Sequence, residues 1–329
     1  MEVKYGVIGA MTDGPLFISS GDPAADARFR SALELAACGD LAGAAEILMQ
    51  TVTLAPAFAT AWFALGAIHD NLGDRAGATM AWTKTRDADP DDYHGARLQL
   101  ARIGACEGVP AMTEAYLRRL FDRQARHFDE ALERLSYRGP SILHDAVASV
   151  AGEPLRIGSM LDLGCGTGLV GAAFRPHVDW LVGVDISAGM IAKARSKGLY
   201  DRLEVLDLQQ FLACEAEAGA RYHLVLAADV LVYVRDLLPV VAAAARILAP
   251  SGLFAFTVET HSGDGMLLQQ TLRYAHGAPH VRAALAVTGL DLLHLADATT
   301  RMEQGVPVAG LVAVAMAASS PAAAAKSTG

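Results

Sequence analysis

The stretch LDLGCGTGLVG, Leu161 to Gly171, decides how this chain is read. Gly164, Gly166 and Gly168 stand at alternate positions, and Gly171 follows three residues later. Gly166, Gly168 and Gly171 therefore match the GxGxxG spacing of a strand-to-helix turn that receives a pyrophosphate. An acid, Asp162, stands immediately before the turn. Two readings are open, a ligand with phosphates and a ligand without.

From about Thr113 onward, apolar runs alternate with helical stretches, which is the pattern of an α/β sheet with parallel strands. RIGSMLDLG, WLVGVD, LEVLD, YHLVLAAD and GLFAFTVE read as five successive strands. Asp162, Asp185, Asp207 and Asp229 all fall at or near their carboxyl ends, the edge where open α/β sheets bind ligands. This acidic row separates the two readings. Asp162 beside a pyrophosphate would set like charges together in a crevice of low dielectric. S-adenosylmethionine has no phosphate, and its sulfonium and ammonium groups favour a nearby carboxylate. Asp185, about 20 residues beyond the turn, suits the two hydroxyls of a ribose under either reading. Asp207, closing the third strand, suits an adenine amino group.

With these residues in place, the chain resembles the class I, Rossmann-like S-adenosylmethionine-dependent methyltransferases. The resemblance rests on DLGCGTG from Asp162 to Gly168, VGVDIS from Val182 to Ser187, LDL at 206 to 208 and LAPSGLFAF at 248 to 256, and it covers about residues 114 to 318. It implies a seven-stranded, mostly parallel sheet whose last strand is antiparallel, and GLVAVAMA, Gly310 to Ala317, suits that strand. It further implies that Gly164, Gly166 and Gly168 lie against the methionine and ribose portions of the cofactor, with Asp162 near its amino group. Asp185 binds the ribose, Ile186 and Met190 enclose the adenine with Asp207 and Leu208 beside it, and Ala227 and Asp229 border the methyl group. S-adenosylhomocysteine is the implied product.

Methyl transfer from a sulfonium is an in-line displacement, so alignment and exclusion of water supply much of the rate. A protonated oxygen or nitrogen acceptor still needs a base. His276 and Tyr233 are the candidates for that role. Arg273, Tyr274 and His261 are candidates for contacting the acceptor, with Arg273 suited to a carboxylate. The chain reads AADVLVY after the fourth strand, without the Asn/Asp-Pro-Pro-Tyr/Phe tetrad of enzymes that methylate bases or glutamine. O- or C-methylation of a small metabolite is therefore expected. A protein or carrier-bound substrate, or a binding module without catalysis, stands as the alternative.

Upstream, GDLAGA at Gly39 to Ala44 recurs as GDRAGA at Gly73 to Ala78, and Pro56 recurs as Pro90, both with an offset of 34 residues. Trp62, Leu65, Gly66, Ala78, Trp82 and Pro90 resemble the packing positions of a tetratricopeptide repeat. The joint arrangement resembles bacterial tetratricopeptide-containing methyltransferases, whose helix before the fold reads Phe-Asp-x-Tyr-Ala-x-x-Phe-Asp. FDRQARHFD, from Phe121, places Gln124 at the tyrosine. The expected divisions are an extension over 1–25, helical repeats over 26–104, a linker over 105–113, the methyltransferase domain over 114–318 and a disordered tail over 319–329. The repeats suggest a protein partner or self-association. Met11 is a second possible start.

The formal charge of −9 argues against a nucleic-acid grip, and the arginines of YLRRLFDRQAR read as a solvated helix face paired with Asp122 and Asp129. Cys38, Cys106, Cys165 and Cys214 are scattered, which suggests neither a disulfide framework nor a metal site. No apolar run approaches membrane-spanning length and no signal peptide is evident, so a cytoplasmic protein is expected.

Overall fold

The computed structural model describes residues 17–318, so the readings of Met11 and of the tail from Ser319 lie outside the described residues. The chain divides into two compact units. One comprises the residues up to Tyr116 together with Leu268–Leu272, and the other comprises Leu117–Leu267 together with the chain from Arg273.

The first unit is built of helices α1 (Pro23–Ala37), α2 (Leu41–Leu54), α3 (Ala59–Asn71), α4 (Arg75–Ala88) and α5 (Ala96–Arg102). The repeated GDxAGA has a local physical cause. Gly39 and Gly73 adopt φ of +88° and +78°, the left-handed turn that stops a helix. The aspartate that follows caps the next helix: Asp40 accepts from the Gly43 amide at 2.8 Å and Asp74 from that of Gly77 at 2.9 Å. The second glycine gives the capping carboxylate its space, since a Cβ on Gly43 would lie 2.4 Å from Asp40. Small residues also let the helices approach: a Cβ on Gly66 would lie 2.4 Å from the Trp82 ring, whose Nε1 donates to the Phe63 carbonyl. Trp62 Nε1 donates to the Pro56 carbonyl at 2.8 Å. Phe29, Leu48, Leu65 and Phe58 fill the core between the pairs. Helix α1 begins at Pro23, and Phe17 packs tilted against Phe29 and edge-on to Phe58, so the described part of the expected extension belongs to this unit. The segment 91–105 supplies α5.

Helix α6 (Glu114–Gln124) leads into the second unit, followed by α7 (Phe128–Arg134) and α8 (Gly139–Ala151). Strands and helices then alternate as β1 (Ile157–Leu163), α9 (Leu169–Phe174), β2 (Val178–Asp185), α10 (Ala188–Ser196), β3 (Arg202–Val205), α11 (Leu208–Glu217), β4 (Tyr222–Ala227), α12 (Leu237–Ile247) and β5 (Leu248–Glu259). The chain continues through β6 (Met266–Leu268), β7 (Tyr274–His276), α13 (Ala278–Val287), β8 (Leu290–Ala298), the hairpin strands β9 (Met302–Glu303) and β10 (Val306–Pro307), and β11 (Gly310–Ala317). The strand order is β3-β2-β1-β4-β5-β11-β8, with β7 and β6 added beside β5. Neighbours from β3 to β5 are parallel, and β11 runs antiparallel to both β5 and β8. The sheet is therefore mixed, with seven strands on its main path.

Apolar residues cover both faces of the sheet, as a parallel array requires. Leu161 and Leu163 of β1 pack with Phe211, Val240 and Phe254 on one side. Met160 packs with Leu143, Phe174 and Leu224 on the other. The strand order changes direction between β1 and β4, so their outgoing loops part and open the crevice where ligands bind in such sheets.

Candidate functional site

The turn after β1 follows the backbone that its glycines allow. Gly164, Gly166 and Gly168 adopt φ of +64°, +53° and +91°. A Cβ on Gly166 would meet only Phe128, at 3.7 Å, so this glycine leaves room above the turn. Gly171 serves a different purpose. A Cβ there would lie 2.5 Å from the Tyr200 ring, and one on Gly183 of β2 would lie 2.8 Å from it. Tyr200 fits between these glycines and donates to Asp162 Oδ2 at 2.7 Å. The glycine that completed the dinucleotide spacing thus makes room for a tyrosine.

Asp162 is 1% exposed and its Oδ1 has no hydrogen-bond partner. Burial pushes its carboxyl up to about 7 against the Tyr200 hydrogen bond, and nearby Asp185 adds to the rise. Asp185 closes β2 and ties the two loops together: Oδ2 accepts from the Gly166 amide at 2.9 Å and Oδ1 from the Ser187 amide at 2.8 Å. Burial pushes Asp185 up to about 6, and these amides oppose the rise. Ile186 follows it, and Met190 is buried in the first turn of α10, which Ser187 caps. Asp207 Oδ1 caps α11 through the amides of Gln209 and Gln210, with Leu208 opening the helix.

Two aspartates of FDRQARHFD fasten α6 and α7 to these loops. Asp122 Oδ1 accepts from Ser187 Oγ at 2.5 Å and from the Gly189 amide at 3.0 Å. A Cβ on Gly189 would lie 2.9 Å from Ala125, so that glycine permits the approach. Asp129 accepts from Thr167 Oγ1 in the glycine turn and from Lys197 Nζ at 2.8 Å. Both acids thus fasten α6 and α7 to the loops after β1 and β2.

On the β4 side, Ala227 is fully buried and Asp229 holds φ +53°, a strained value for a residue with a side chain. Thr257 donates to Asp229 Oδ1 and accepts from its amide, while Thr300 and Arg301 donate to Oδ2. Arg301 is 3% exposed and also bonds Glu259 and Glu303. Arg273 pairs with Glu303 and lies 3.6 Å from Glu259, with its Nε 3.5 Å from Tyr233 Oη. Phe121 of α6 meets the Tyr233 ring edge-on at 5.1 Å. Burial raises Glu259 against the pull of both arginines. Glu303 stays low despite burial because both guanidiniums hold it. Tyr137 is raised by burial and by Asp229 and Asp162, so it stays protonated.

Asp229, Tyr233 and Arg273 therefore share one network. The other candidate acceptor-side residues lie in enclosed or self-paired surroundings. His276 is fully buried in β7: its Nε2 lies 3.3 Å from the Leu231 carbonyl, its ring stacks on His280, and Nδ1 has no partner. Burial and then His280 push it down to about 4. Tyr274 is fully buried beside it. His261 spends both ring nitrogens on its own loop, at Gly263 and Gly265. Arg273 is matched by Glu259 and Glu303. Sequence reasoning missed Tyr137, Tyr200, Glu259, Arg301 and Glu303, because none lies in a motif. The repeated Phe-Asp of FDRQARHFD was the one available signal for the loop fastening. Among the described residues no His, Cys, Asp and Glu group could hold a metal ion, and no helix is long and apolar enough to cross a membrane.

Residues 161–254 match a family model described as a methyltransferase domain. Over these residues the chain is similar to methyltransferase domains. Human methyltransferase-like protein 27 is 37% identical over 111 residues, 33% of this chain and 44% of the human protein, so the match spans under half of that relative. Among solved structures, the N-methyltransferase NodS from Bradyrhizobium japonicum WM9 with S-adenosylhomocysteine is 20% identical, covering 61% of this chain and 98% of that one at a TM-score of 0.47. The 1,6-didemethyltoxoflavin-N1-methyltransferase of Burkholderia thailandensis is 17% identical, covering 64% and 93% at a TM-score of 0.49.

Proposed function

We propose that the protein transfers a methyl group from S-adenosylmethionine to a small-molecule acceptor, by O- or C-methylation. The carrying observation is the buried Asp162, whose unpartnered oxygen adjoins a glycine turn open above Gly166. A carboxylate there repels a pyrophosphate and attracts an ammonium. The cofactor supplies an electrophilic methyl on a cationic sulfur. Gly164, Gly166 and Gly168 admit it, Asp162 takes its amino group, Asp185 takes the ribose hydroxyls, and Ile186, Met190, Asp207 and Leu208 enclose the adenine. Ala227 and Asp229 border the transferred group. Arg301 and Thr257 hold Asp229 in its left-handed conformation, and Tyr233 stands where it can orient the acceptor. Phe121, Phe128 and the two fastening aspartates keep water out, which supports alignment for an in-line displacement.

The test is calorimetric titration with S-adenosylmethionine, S-adenosylhomocysteine and NAD in parallel. Binding of the first two alone is expected. Binding of NAD alone would overturn the assignment.

A second reading gives the helical unit a recruiting role for a protein or carrier-bound substrate. The exposed apolar side chains Met49, Leu54, Leu72 and Met80 on its helices favour it. Truncation to Ala111 onward separates the readings: turnover of a free small acceptor survives, whereas methylation of a recruited protein is lost.

A further inference from the structure

Asp162 is buried without a counter-ion. Its Oδ2 accepts the Tyr200 hydroxyl and its Oδ1 has no partner. Among the described residues, the titratable groups coupled to it are acids: Cys165 in the glycine turn, Asp185 from β2, Tyr200 from the segment before β3, and Tyr137 after α7. Arg301 compensates Asp229, Glu259 and Glu303 nearby, but among the described residues no guanidinium or ammonium bonds Asp162. A carboxylate in these surroundings has lost its water and gained only one hydrogen bond, so the neutral acid is the favoured form. An arriving ammonium reverses that balance, because it supplies the missing donor and opposite charge at the unpartnered oxygen.

We infer that Asp162 is protonated in the ligand-free protein and surrenders its proton to solvent when a cationic amino-acid ligand enters, so that cofactor capture is linked to proton release. This rests on the proposed cofactor site and adds a discrimination to it. A ligand that brings an anion to this position leaves the proton on Asp162, so proton release marks a ligand bearing a cation. The O–H bond of Asp162 breaks with its electron pair left on the carboxylate, the proton goes to solvent, and an ionic hydrogen bond from the ammonium replaces it. The position of the group, pushed up to about 7, places the effect in the neutral range.

The test is titration of the full chain with S-adenosylhomocysteine, which keeps the ammonium, in phosphate and in Tris at pH 7. The buffer dependence of the heat counts the protons released. A group centred near 7 gives up about half a proton there, while Asp185, near 6, adds about a tenth. Release from Asp162 should fall to about a tenth of a proton by pH 8. Asp162→Asn should lower the release at pH 7 to the Asp185 share. Tyr200→Phe should raise it, because the lost hydrogen bond favoured the charged form. Independently, infrared difference spectra should show a protonated-carboxyl band lost on ligand addition and missing from Asp162→Asn. Binding with heats that do not depend on the buffer, in the wild type and in Tyr200→Phe alike, would overturn the inference and leave the proposed function standing. Absence of any binding would overturn the cofactor site itself, and this inference with it.

Discussion

Arg301 Nη1 donates to Asp229 Oδ2 at 3.0 Å across 72 positions of sequence, and the same guanidinium also bonds Glu259 and Glu303. One buried cation thus holds three carboxylates, one of them on a strained backbone at the carboxyl edge of the sheet. Arg301→Ala would leave Asp229 and Glu259 buried without that partner, a change that costs about 3 to 5 kcal/mol in comparable buried pairs. Urea unfolding at pH 7 should show the loss, and a midpoint equal to wild type would refute the role.

Asp185 receives two loop amides and, in the proposed complex, two ribose hydroxyls. Asp185→Ala should weaken S-adenosylhomocysteine binding by about 1.5 to 3 kcal/mol, the range for hydrogen bonds to a charged group. Gly166→Val should block binding sterically, because its φ of +53° already disfavours a side chain and the added atoms would fill the space above the turn. Circular dichroism should show the fold retained in both variants. Unchanged affinity in either would remove that residue from the site.

Asp129 joins α7 to the glycine turn through Thr167 and to Lys197. If this contact closes the site, Asp129→Ala and Lys197→Ala should each speed S-adenosylhomocysteine dissociation several-fold, consistent with about 0.5 to 1.5 kcal/mol per hydrogen bond. The effects should not add in the double variant, since the two groups share one contact. Stopped-flow displacement measures the rates, and fully additive effects would show that the two act separately.

His276 is held neutral by burial, pushed down to about 4. The unfolded chain, with an ordinary value near 6.5, binds the proton over the interval where the folded chain does not. This stabilising contribution is therefore complete above about 6.5 and is lost as the pH falls toward 4, by about 3 kcal/mol in all. His276→Gln cannot titrate, so its unfolding free energy should decline less than that of wild type between pH 7 and pH 5. Equal declines would place the imidazole in water.

In the helical unit, a Cβ on Gly66 would lie 2.4 Å from Trp82 Nε1. Gly66→Val should cost about 1 to 3 kcal/mol by overpacking. A lowered melting temperature checks this, and a variant as stable as wild type would mean that α3 and α4 do not meet there.

Much of the architecture could be read from local pattern. Five strands, the closing antiparallel strand at Gly310–Ala317, the row of acids and the repeated GDxAGA each depend on neighbours close in sequence, through pleat alternation, turn conformation and helix capping. The glycine turn and the acid before it sufficed to choose between a pyrophosphate and a cation, because charge and glycine spacing are carried by the residues themselves. The strand at Leu290–Ala298 escaped that reading, since its inward and outward residues are both partly apolar and only its pairing with β11 defines it. Tertiary structure alone decided what Gly171 is for, which acids are compensated and which histidine is sealed. Tyr200 reaches Asp162 from 38 residues away, and Arg301 reaches Asp229 from 72. A side chain's protonation and availability depend on what the fold packs against it, and chain order does not record those neighbours.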